Sequence, residues 1–176
     1  RADARDFSAR MREEGIELEL VSGDHAGAVA AAAEGAGIAR RRAGVSPEGK
    51  LDALRELRAS GRAVLAVGDG VNDAALLAAA DVGAAMARGS EIAVAAADLV
   101  VRSPRLGAIA DALALSRACR ARIRENFAFA LLYNLVAVPL AVAGLLEPLA
   151  AAIAMALSSL VVTGNSVRLL RWQSSR

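Results

Sequence analysis

The sequence has 176 residues and a formal net charge of only +2, and this weak charge does not favour a nucleic-acid-binding protein. Its single cysteine, Cys119, excludes an internal disulfide and a Cys-x-x-Cys metal site and is typical of a reducing compartment. The charges are uneven, because Glu147 is the only acidic or basic residue between positions 126 and 167. This distribution predicts a soluble segment followed by a membrane segment.

The soluble segment begins with Arg1-Ala2-Asp3-Ala4, which has helical rather than signal-peptide character and no initiator methionine. We therefore expect the carboxyl-terminal part of a longer polypeptide. Helices are predicted from apolar spacing and glycine stops, and strands from short apolar runs. The predicted order is a helix at 2–14, a strand at 16–21, a helix at 26–36, an apolar segment at 38–45 and a helix at 47–60, with stops at Gly15, Gly37 and Gly61.

The central element is the apolar run 64–67, a predicted buried strand that ends in Gly68-Asp69-Gly70-Val71-Asn72-Asp73-Ala74. A helix from Asp73, a strand at 82–85, a helix at 91–96 and a strand at 99–101 follow. Strands separated by helices predict βαβ units, so we expect an α/β fold with a parallel, Rossmann-like sheet covered by helices on both faces.

Asp69, Asn72 and Asp73 follow the central strand, at the sheet edge where open α/β folds bind ligands. Two carboxylates and an amide form a hard-oxygen set that suits magnesium and a phosphate. The alternative is an ordinary strand-to-helix turn, in which the two acids act as a helix cap and a first-turn charge.

Two further polar features fall at comparable places. Ser22-Gly23-Asp24 ends the first predicted strand, and Lys50 lies near the start of a helix that Ser46 caps. Lys50 is the only lysine among 21 basic residues, which indicates a position where a planar guanidinium would not replace a compact ammonium; chance retention is the alternative. A lysine and a hydroxyl that reach phosphoryl oxygens would complement an acid-bound magnesium.

These segments, Ser22-Gly23-Asp24, Pro47-Glu48-Gly49-Lys50 and Val67 to Ala74, resemble in this order the later motifs of the haloacid-dehalogenase-like phosphorylation domain of P-type ATPases. The resemblance implies that Ser22 and Lys50 bind the phosphoryl group, that Asp69 holds Mg²⁺, and that Asp73 supports the site. It also implies ATP as substrate, bound mainly by an upstream domain. The implied ligand-binding residues are Ser22, Gly23, Asp24, Lys50 and Asn72, and the implied magnesium residues are Asp69 and Asp73.

The chain departs from the family pattern in three ways. Ala75 stands where the family usually has proline, and Ala87 where it commonly has glycine; both are small, so we expect altered turn rigidity rather than lost chemistry. The nucleophile motif Asp-Lys-Thr-Gly-Thr is absent, because Lys50 is the only lysine. We therefore expect the 176 residues to be unable to turn over ATP by themselves.

The membrane segment consists of two apolar runs, 127–146 and 149–167, joined by Glu147-Pro148. Twenty helical residues of about 1.5 Å each span the hydrocarbon core of about 30 Å. Arginines flank the outer ends, with Trp172 at the interface, so we expect both ends in the cytoplasm. A buried helical hairpin in a soluble protein is the alternative. The expected domains are a partial phosphorylation domain at 1–103, a basic connecting helix at 104–125, a hairpin at 126–171 and a tail at 172–176.

The polar residues inside these runs resemble the last two membrane helices of copper-transporting heavy-metal P-type ATPases, by the Tyr133-Asn134 pair with following Pro139 and by Met155-x-x-Ser158-Ser159. Met155 and Ser159 share a helical face, and a thioether suits Cu(I). Zinc-class relatives instead place an acid in the last helix, and none occurs between Pro148 and Arg171. The implied ligands of transported copper are Tyr133, Asn134, Met155 and Ser159.

The resemblance implies ATP-driven export of Cu(I) by a multi-pass protein, with an aspartyl-phosphate intermediate, in a bacterial cytoplasmic membrane. Its expected partners are the bilayer, a copper chaperone and the upstream part of the same polypeptide. Two alternatives stay open: a membrane-anchored phosphatase of the same superfamily, and a non-catalytic copper-binding assembly subunit.

Overall fold

The computed structural model describes residues 2–86 and 90–171. Ala87, Trp172 and the expected tail 172–176 lie outside the described residues. The chain divides into two compact units, residues 1–110 and 111–176, and each is described by itself.

The first unit alternates helices and short parallel strands, which confirms the predicted α/β class. Most elements begin and end within a few residues of the predicted positions, and the first two strands are shorter than predicted. The helices are α1 (Ala4–Glu13), α2 (Ala26–Ala36), α3 (Pro47–Ala59), α4 (Ala74–Ala79) and α5 (Glu91–Ala96). The strands are β1 (Glu19–Val21), β2 (Arg40–Arg42), β3 (Leu65–Gly68), β4 (Val82–Met86) and β5 (Leu99–Val101).

The five strands form two parallel sheets rather than one continuous sheet. One sheet pairs β1 with β2, and the other has the order β3-β4-β5. Leu65 lies opposite Val82 in the register of β3 and β4. Each pair consists of consecutive strands joined by a helix, which is the connection that parallel strands require.

Small residues allow the helices to lie close to the larger sheet. Ala66, Leu77, Ala85 and Ala93 form a buried cluster that draws on β3, α4, β4 and α5. At Gly83 a β-carbon would lie only 2.3 Å from the carbonyl oxygen of Leu77, so any side chain there would push the strand and the helix apart. This close packing holds β3 and the turn that follows it against α4.

Two aspartates satisfy backbone groups at the start of strands. The Val64 N–H donates to Asp81 Oδ2 and the Gly83 N–H to Asp98 Oδ2, each at 2.9 Å. The patterns Asp81-Val82 and Asp98-Leu99, an acid directly before a strand, are the sequence signal for this role. Both aspartates therefore have a structural function in the sheet.

Arg42 connects the smaller sheet to α3. Its Nη1 contacts Glu56 Oε2 at 2.8 Å, and its Nε contacts Glu19 Oε1 at 2.6 Å. The hydrogen bond to Glu56 and then the one to Glu19 raise the pKa of Arg42 above its ordinary value. Because these groups are partly exposed, we expect the contacts to orient β2 more than to stabilise it.

The second unit consists mainly of two long helices. α6 (Gly107–Val142) begins in the first unit and continues into the second, and α7 (Pro148–Val167) ends in a 3-10 turn (Arg168–Arg171). The sequence indicated a connecting helix and a separate span; instead α6 is one helix, because Glu125-Asn126-Phe127 contains no helix-breaking residue.

The first apolar run was expected to be helical to residue 146, but α6 ends at Val142. Gly144 adopts a left-handed conformation with φ of 71°. Its N–H donates to the carbonyl of Ala141 at 3.0 Å, and the Leu145 N–H donates to Leu140 at 3.0 Å. This pattern is a Schellman motif, which ends a helix. Pro139, expected to bend the span, lies within α6 near this end.

Both long helices are sufficiently long and apolar to cross a membrane, over Gly107–Val142 and Pro148–Leu170. The most apolar stretches of these helices are not buried within the described residues, in contrast to the core helix of a soluble protein. Their large apolar side chains, such as Leu131, Leu135 and Leu160, are exposed. These observations favour the membrane hairpin over the soluble alternative.

Candidate functional site

The candidate site lies where β3 ends. Asp69 and Gly70 follow the strand, a 3-10 turn covers Val71–Asp73, and α4 begins at Ala74. The Gly70 N–H donates to Asp73 Oδ2 at 3.3 Å. A β-carbon at position 68 would lie 2.7 Å from that of Asp73, so the glycine allows the Asp73 side chain to lie against the end of the strand. The turn is thus built around Asp73.

Lys50 reaches this turn from α3. Its Nζ lies 2.6 Å from Asp73 Oδ1, and the two side chains are only 14% and 17% exposed. Ser46 caps α3 by accepting a hydrogen bond from the Gly49 N–H at 3.1 Å, which sets the start of the helix one turn before Lys50. The structure therefore brings together two residues that are 23 positions apart and that the sequence indicated separately.

Ser22 lies just after β1, in a turn with its own hydrogen bonds. Its hydroxyl contacts Asp24 Oδ2 at 3.1 Å and accepts a hydrogen bond from the Asp24 N–H at 3.2 Å. The backbone N–H of Ser22 donates to the carbonyl of Arg42 on β2 at 3.0 Å. These contacts keep the hydroxyl at the carboxyl end of a parallel strand, although they do not connect it to Lys50 or Asp73.

Asp69 and Asn72 have exposed side chains, and the Asp69 carbonyl accepts a hydrogen bond from the Ser90 N–H at 3.0 Å. Magnesium in proteins uses one or two carboxylates, with water and phosphate oxygens as its other ligands. The exposed Asp69 carboxylate fits that requirement. Asp73 fits it less well, because Lys50 and the Gly70 N–H contact its two oxygens. No group of three or more His, Cys, Asp or Glu residues within 2–86 and 90–171 forms a complete metal cage.

An ion pair joins the approaches to β1 and β3, which do not pair with each other. Arg62 Nη1 lies 2.5 Å from Glu17 Oε2, and Arg40 Nη1 lies 3.3 Å from the same oxygen. The hydrogen bond from Arg62, followed by the charge of Arg40, lowers the pKa of Glu17 below its ordinary value. The residues just before the two strands are therefore linked by side-chain contacts.

The four expected copper ligands lie on α6 and α7. Asn134 Nδ2 donates to the Ala130 carbonyl of its own helix at 2.9 Å, and Met155 is 65% exposed. No hydrogen bond joins Tyr133, Asn134, Met155 and Ser159 to one another in the part of the chain that the structure describes. Their role as ion ligands stays a prediction.

Another polar cluster was missed by the sequence analysis. Arg122, Glu125 and Asn126 on α6 hydrogen-bond with Asn165 and Ser166 on α7. The sequence contained a signal for this cluster, because the polar pair Glu125-Asn126 stands at the beginning of the first apolar run and the pair Asn165-Ser166 at the end of the second. The two outer ends of a helical hairpin lie side by side, so these pairs are expected to meet.

The sequence matches one family model over its first part and known proteins over nearly its full length. Residues 1–81 match the haloacid dehalogenase-like hydrolase family. The copper-exporting P-type ATPase of Mycobacterium tuberculosis is 42% identical over 169 residues, which cover 96% of this chain and 22% of that protein. Nitrogen fixation protein FixI of Rhizobium leguminosarum bv. viciae is 46% identical over 160 residues, 91% of this chain and 21% of FixI.

A solved structure also matches this chain over nearly its full length. The crystal structure of a zinc-transporting PIB-type ATPase in the E2.Pi state matches with a TM-score of 0.89 and 32% identity, over 97% of this chain and 28% of that one. The present chain thus spans about a fifth of the length of the curated relatives described above. From the shared sequence, the parallel α/β fold and the two long apolar helices, we conclude that the chain belongs to the P-type ATPase family and contains part of its haloacid dehalogenase-like hydrolase domain.

Proposed function

We propose that the protein to which this chain belongs uses ATP to export Cu(I) across a membrane, through an aspartyl-phosphate intermediate. The first unit would supply the phosphoryl- and magnesium-binding half of the catalytic centre. The observation that carries this proposal is the Lys50–Asp73 pair, 2.6 Å apart and largely enclosed, next to Asp69 at the carboxyl end of β3.

Lys50 stabilises negative charge on the phosphoryl group in this proposal. Asp73 holds the Nζ from one side, and the Gly70 N–H holds Asp73 in turn. An ammonium fixed in this way needs little rearrangement when charge develops in the transition state, and such preorganisation is a major source of catalysis. We therefore assign Asp73 the role of positioning Lys50, rather than that of the main metal ligand.

Asp69 would hold magnesium, which neutralises charge on the phosphoryl oxygens when it is bound. The exposed amide of Asn72 and the hydroxyl of Ser22 would donate hydrogen bonds to the same oxygens. Gly23 and Asp24 shape the Ser22 turn, since Asp24 contacts the Ser22 hydroxyl and the Gly23 β-position faces the Val45 carbonyl at 3.4 Å.

The nucleophile would come from an upstream strand that fits between β1 and β3. Neighbouring strands lie about 4.8 Å apart, so two strands that flank a third lie about 9.6 Å apart. The side chains of Glu17 and Arg62 meet just before β1 and β3, and long side chains of this kind would join two strands that do not pair directly with each other. A strand in this place would end between Ser22 and Asp69, where an aspartate could attack the phosphoryl group.

The transported ion is proposed to be Cu(I). The fold does not discriminate between metals, since both a copper-exporting relative and a zinc-transporting structure match this chain. The residues of α7 support Cu(I), because this helix contains a thioether at Met155 and no carboxylate between Pro148 and Val167. Soft sulfur ligands select Cu(I), whereas zinc also accepts carboxylates.

The bilayer and a soluble copper carrier are the proposed partners. Arginines precede the apolar part of α6 and follow α7, whereas the connection between the helices contains only Glu147. The positive-inside rule therefore puts both outer ends in the cytoplasm, from which a copper chaperone would deliver the ion. A bacterial cytoplasmic membrane is the proposed location.

The first test is Asp69→Asn in the full-length protein, with Asp52→Asn as the matched control. Asp52 is an exposed acid on α3 that pairs only with Arg55 among the described residues. We expect the Asp69 variant to lose copper-stimulated ATP hydrolysis by at least about 100-fold, as when a key charge-stabilising group is removed, while the control retains it.

Near-normal turnover of the Asp69 variant would exclude this residue as the magnesium ligand. Hydrolysis of phosphate esters by the unaltered protein that does not respond to copper would instead support the phosphatase alternative. Copper binding without any phosphoryl transfer would support the assembly subunit.

A further inference from the structure

The polar cluster between α6 and α7 belongs neither to the ion site nor to the catalytic site. We call it the interhelical clasp, and its residues are Arg122, Glu125, Asn126, Asn165, Ser166 and Arg168. It lies at the end of the hairpin that is opposite to the Gly144 turn, and it consists entirely of hydrogen-bonding side chains.

Asn165 is the centre of the clasp, because its amide uses its full hydrogen-bonding capacity. Nδ2 donates to Glu125 Oε2 at 3.1 Å and to Asn126 Oδ1 at 2.8 Å. Oδ1 accepts from Nη1 of Arg122 at 3.4 Å and from Nη1 of Arg168 at 3.3 Å. A primary amide has two donor hydrogens and two acceptor lone pairs, and all four are used here. Only glutamine has the same set of groups.

The clasp also joins two segments with different proposed tasks. α6 begins in the first unit, where the Gly107 N–H donates to Asp3 Oδ2 at 2.9 Å and Ile109 is buried. The same helix continues without interruption to Glu125 and Asn126. α7 contains Asn165 and, two to three turns earlier, Met155 and Ser159. A displacement of α6 along its axis can therefore reach α7 through the side chain of Asn165.

We propose that Asn165 is a positioning residue that makes α6 and α7 move as one body, so that phosphorylation in the first unit is transmitted to the ion ligands on α7. The proposal rests on the proposed function of the whole protein. A hydrogen-bond network with both charged and neutral members resists sliding, because any shift leaves several polar groups unpaired at once. Apolar packing would hold the helices together but would tolerate such a shift.

The test uses the full-length protein and three changes at the clasp. Asn165→Leu preserves the approximate volume and removes every hydrogen bond, whereas Asn165→Gln preserves the amide. Asn165→Asp combined with Glu125→Gln exchanges the carboxylate and the amide between the helices and so restores a donor–acceptor pair. Ser116→Ala is the control, since the Ser116 hydroxyl bonds only to the Leu113 carbonyl of its own helix among the described residues.

We expect Asn165→Leu to reduce the ratio of copper-stimulated to copper-independent ATP turnover about tenfold, which corresponds to about 1.4 kcal/mol. The phosphoenzyme formed from inorganic phosphate and the amount of bound Cu(I) should stay unchanged, because the catalytic residues and the ion ligands are intact. The Gln variant and the exchanged pair should recover most of the ratio. An unchanged ratio in the Leu variant, or a parallel loss of phosphoenzyme and bound copper, would overturn the proposal.

A second measurement does not require copper stimulation. Spin labels at Ile123 on α6 and Leu160 on α7, both exposed, are placed in a protein with Cys119→Ser, and beryllium fluoride serves as the phosphate analogue. The distance between the labels should stay constant with Asn165 and change when Asn165 is leucine. A constant distance in both proteins contradicts the coupling. If the unaltered protein shows no copper stimulation, the proposed function fails, whereas the labels still report on the clasp.

Discussion

At the scale of single residues, the chemistry of the proposed catalytic site depends on the Lys50 ammonium, which is largely enclosed. Lys50 is 14% exposed and contacts Asp73 directly. Its singularity in an arginine-rich chain was visible in the composition, but its partner was not, since only folding brings α3 beside the turn after β3. The contact of Asp73 was likewise not visible in the sequence. The motif indicated Asp73 as a magnesium residue, whereas in the structure its carboxylate contacts Lys50.

Replacing Lys50 by arginine should reduce phosphoenzyme formation from ATP by about 100-fold or more, even though the charge is preserved. The planar guanidinium is larger than the ammonium and has donors in a fixed fork, so it cannot contact both Asp73 and a phosphoryl oxygen in the enclosed space. The measurement is incorporation of labelled phosphate into the full-length protein. Arg55→Lys, an exposed cation on the same helix, is the control and should have no effect. Full activity of the arginine variant would show that any cation suffices at position 50.

At the scale of elements, local signals predicted where most helices begin and end. Gly15, Gly37 and Gly61 were expected to close α1, α2 and α3, and each follows its helix with positive φ. Gly144 closes α6 in the same way, but the apolar residues around it made the segment look like part of the span. The helical part from Phe127 to Val142 is therefore only about 24 Å long, and we expect the clasp residues Glu125 and Asn126, which directly precede it, to lie near the membrane interface.

The ion pair between Glu17 and Arg62 should make stability depend on pH. Because the arginines lower the pKa of Glu17 from the ordinary value of 4.5, the folded protein keeps this group ionised where the unfolded chain would protonate it. Its contribution is present above the unfolded pKa and is lost as the pH falls through the folded pKa.

We therefore expect the melting temperature of the unaltered protein to exceed that of Glu17→Gln slightly near neutral pH, since the pair is exposed. The difference should vanish at acidic pH and decrease in high salt. Thermal unfolding of both proteins across this range is the measurement. Glu34→Gln is the control, because Glu34 has no ion pair within the residues that the structure describes. A difference that grows as the pH falls would contradict the assignment.

At the scale of the whole molecule, the proposed transport function requires that a soluble catalytic unit and an apolar hairpin act together. Replacing Met155 by leucine tests the ion-binding end of this arrangement. Leucine preserves the volume and the apolar character of methionine but has no sulfur ligand.

The leucine variant should remain in the membrane at normal yield and lose copper stimulation of ATP hydrolysis. Leu157→Met adds a thioether to the same helix but on a different face. This change should not increase copper stimulation in the unaltered protein, and it should not restore stimulation in the Met155→Leu variant. ATP hydrolysis is measured at increasing Cu(I) concentration, with Zn²⁺ in parallel. Normal copper stimulation of the leucine variant would exclude Met155 as a ligand, and stimulation by zinc alone would reverse the ion assignment.

The sequence by itself determined the fold class, the order of the elements, most helix ends and the presence of two apolar helices. These properties depend on local spacing, capping residues and turn residues, which act within a few positions along the chain. Only the tertiary structure decided which polar residues meet: Lys50 with Asp73, Glu17 with Arg62, and Asn165 with Glu125 and Asn126. Each pair is 23 to 45 positions apart, and pairing over such distances depends on how whole helices and strands pack.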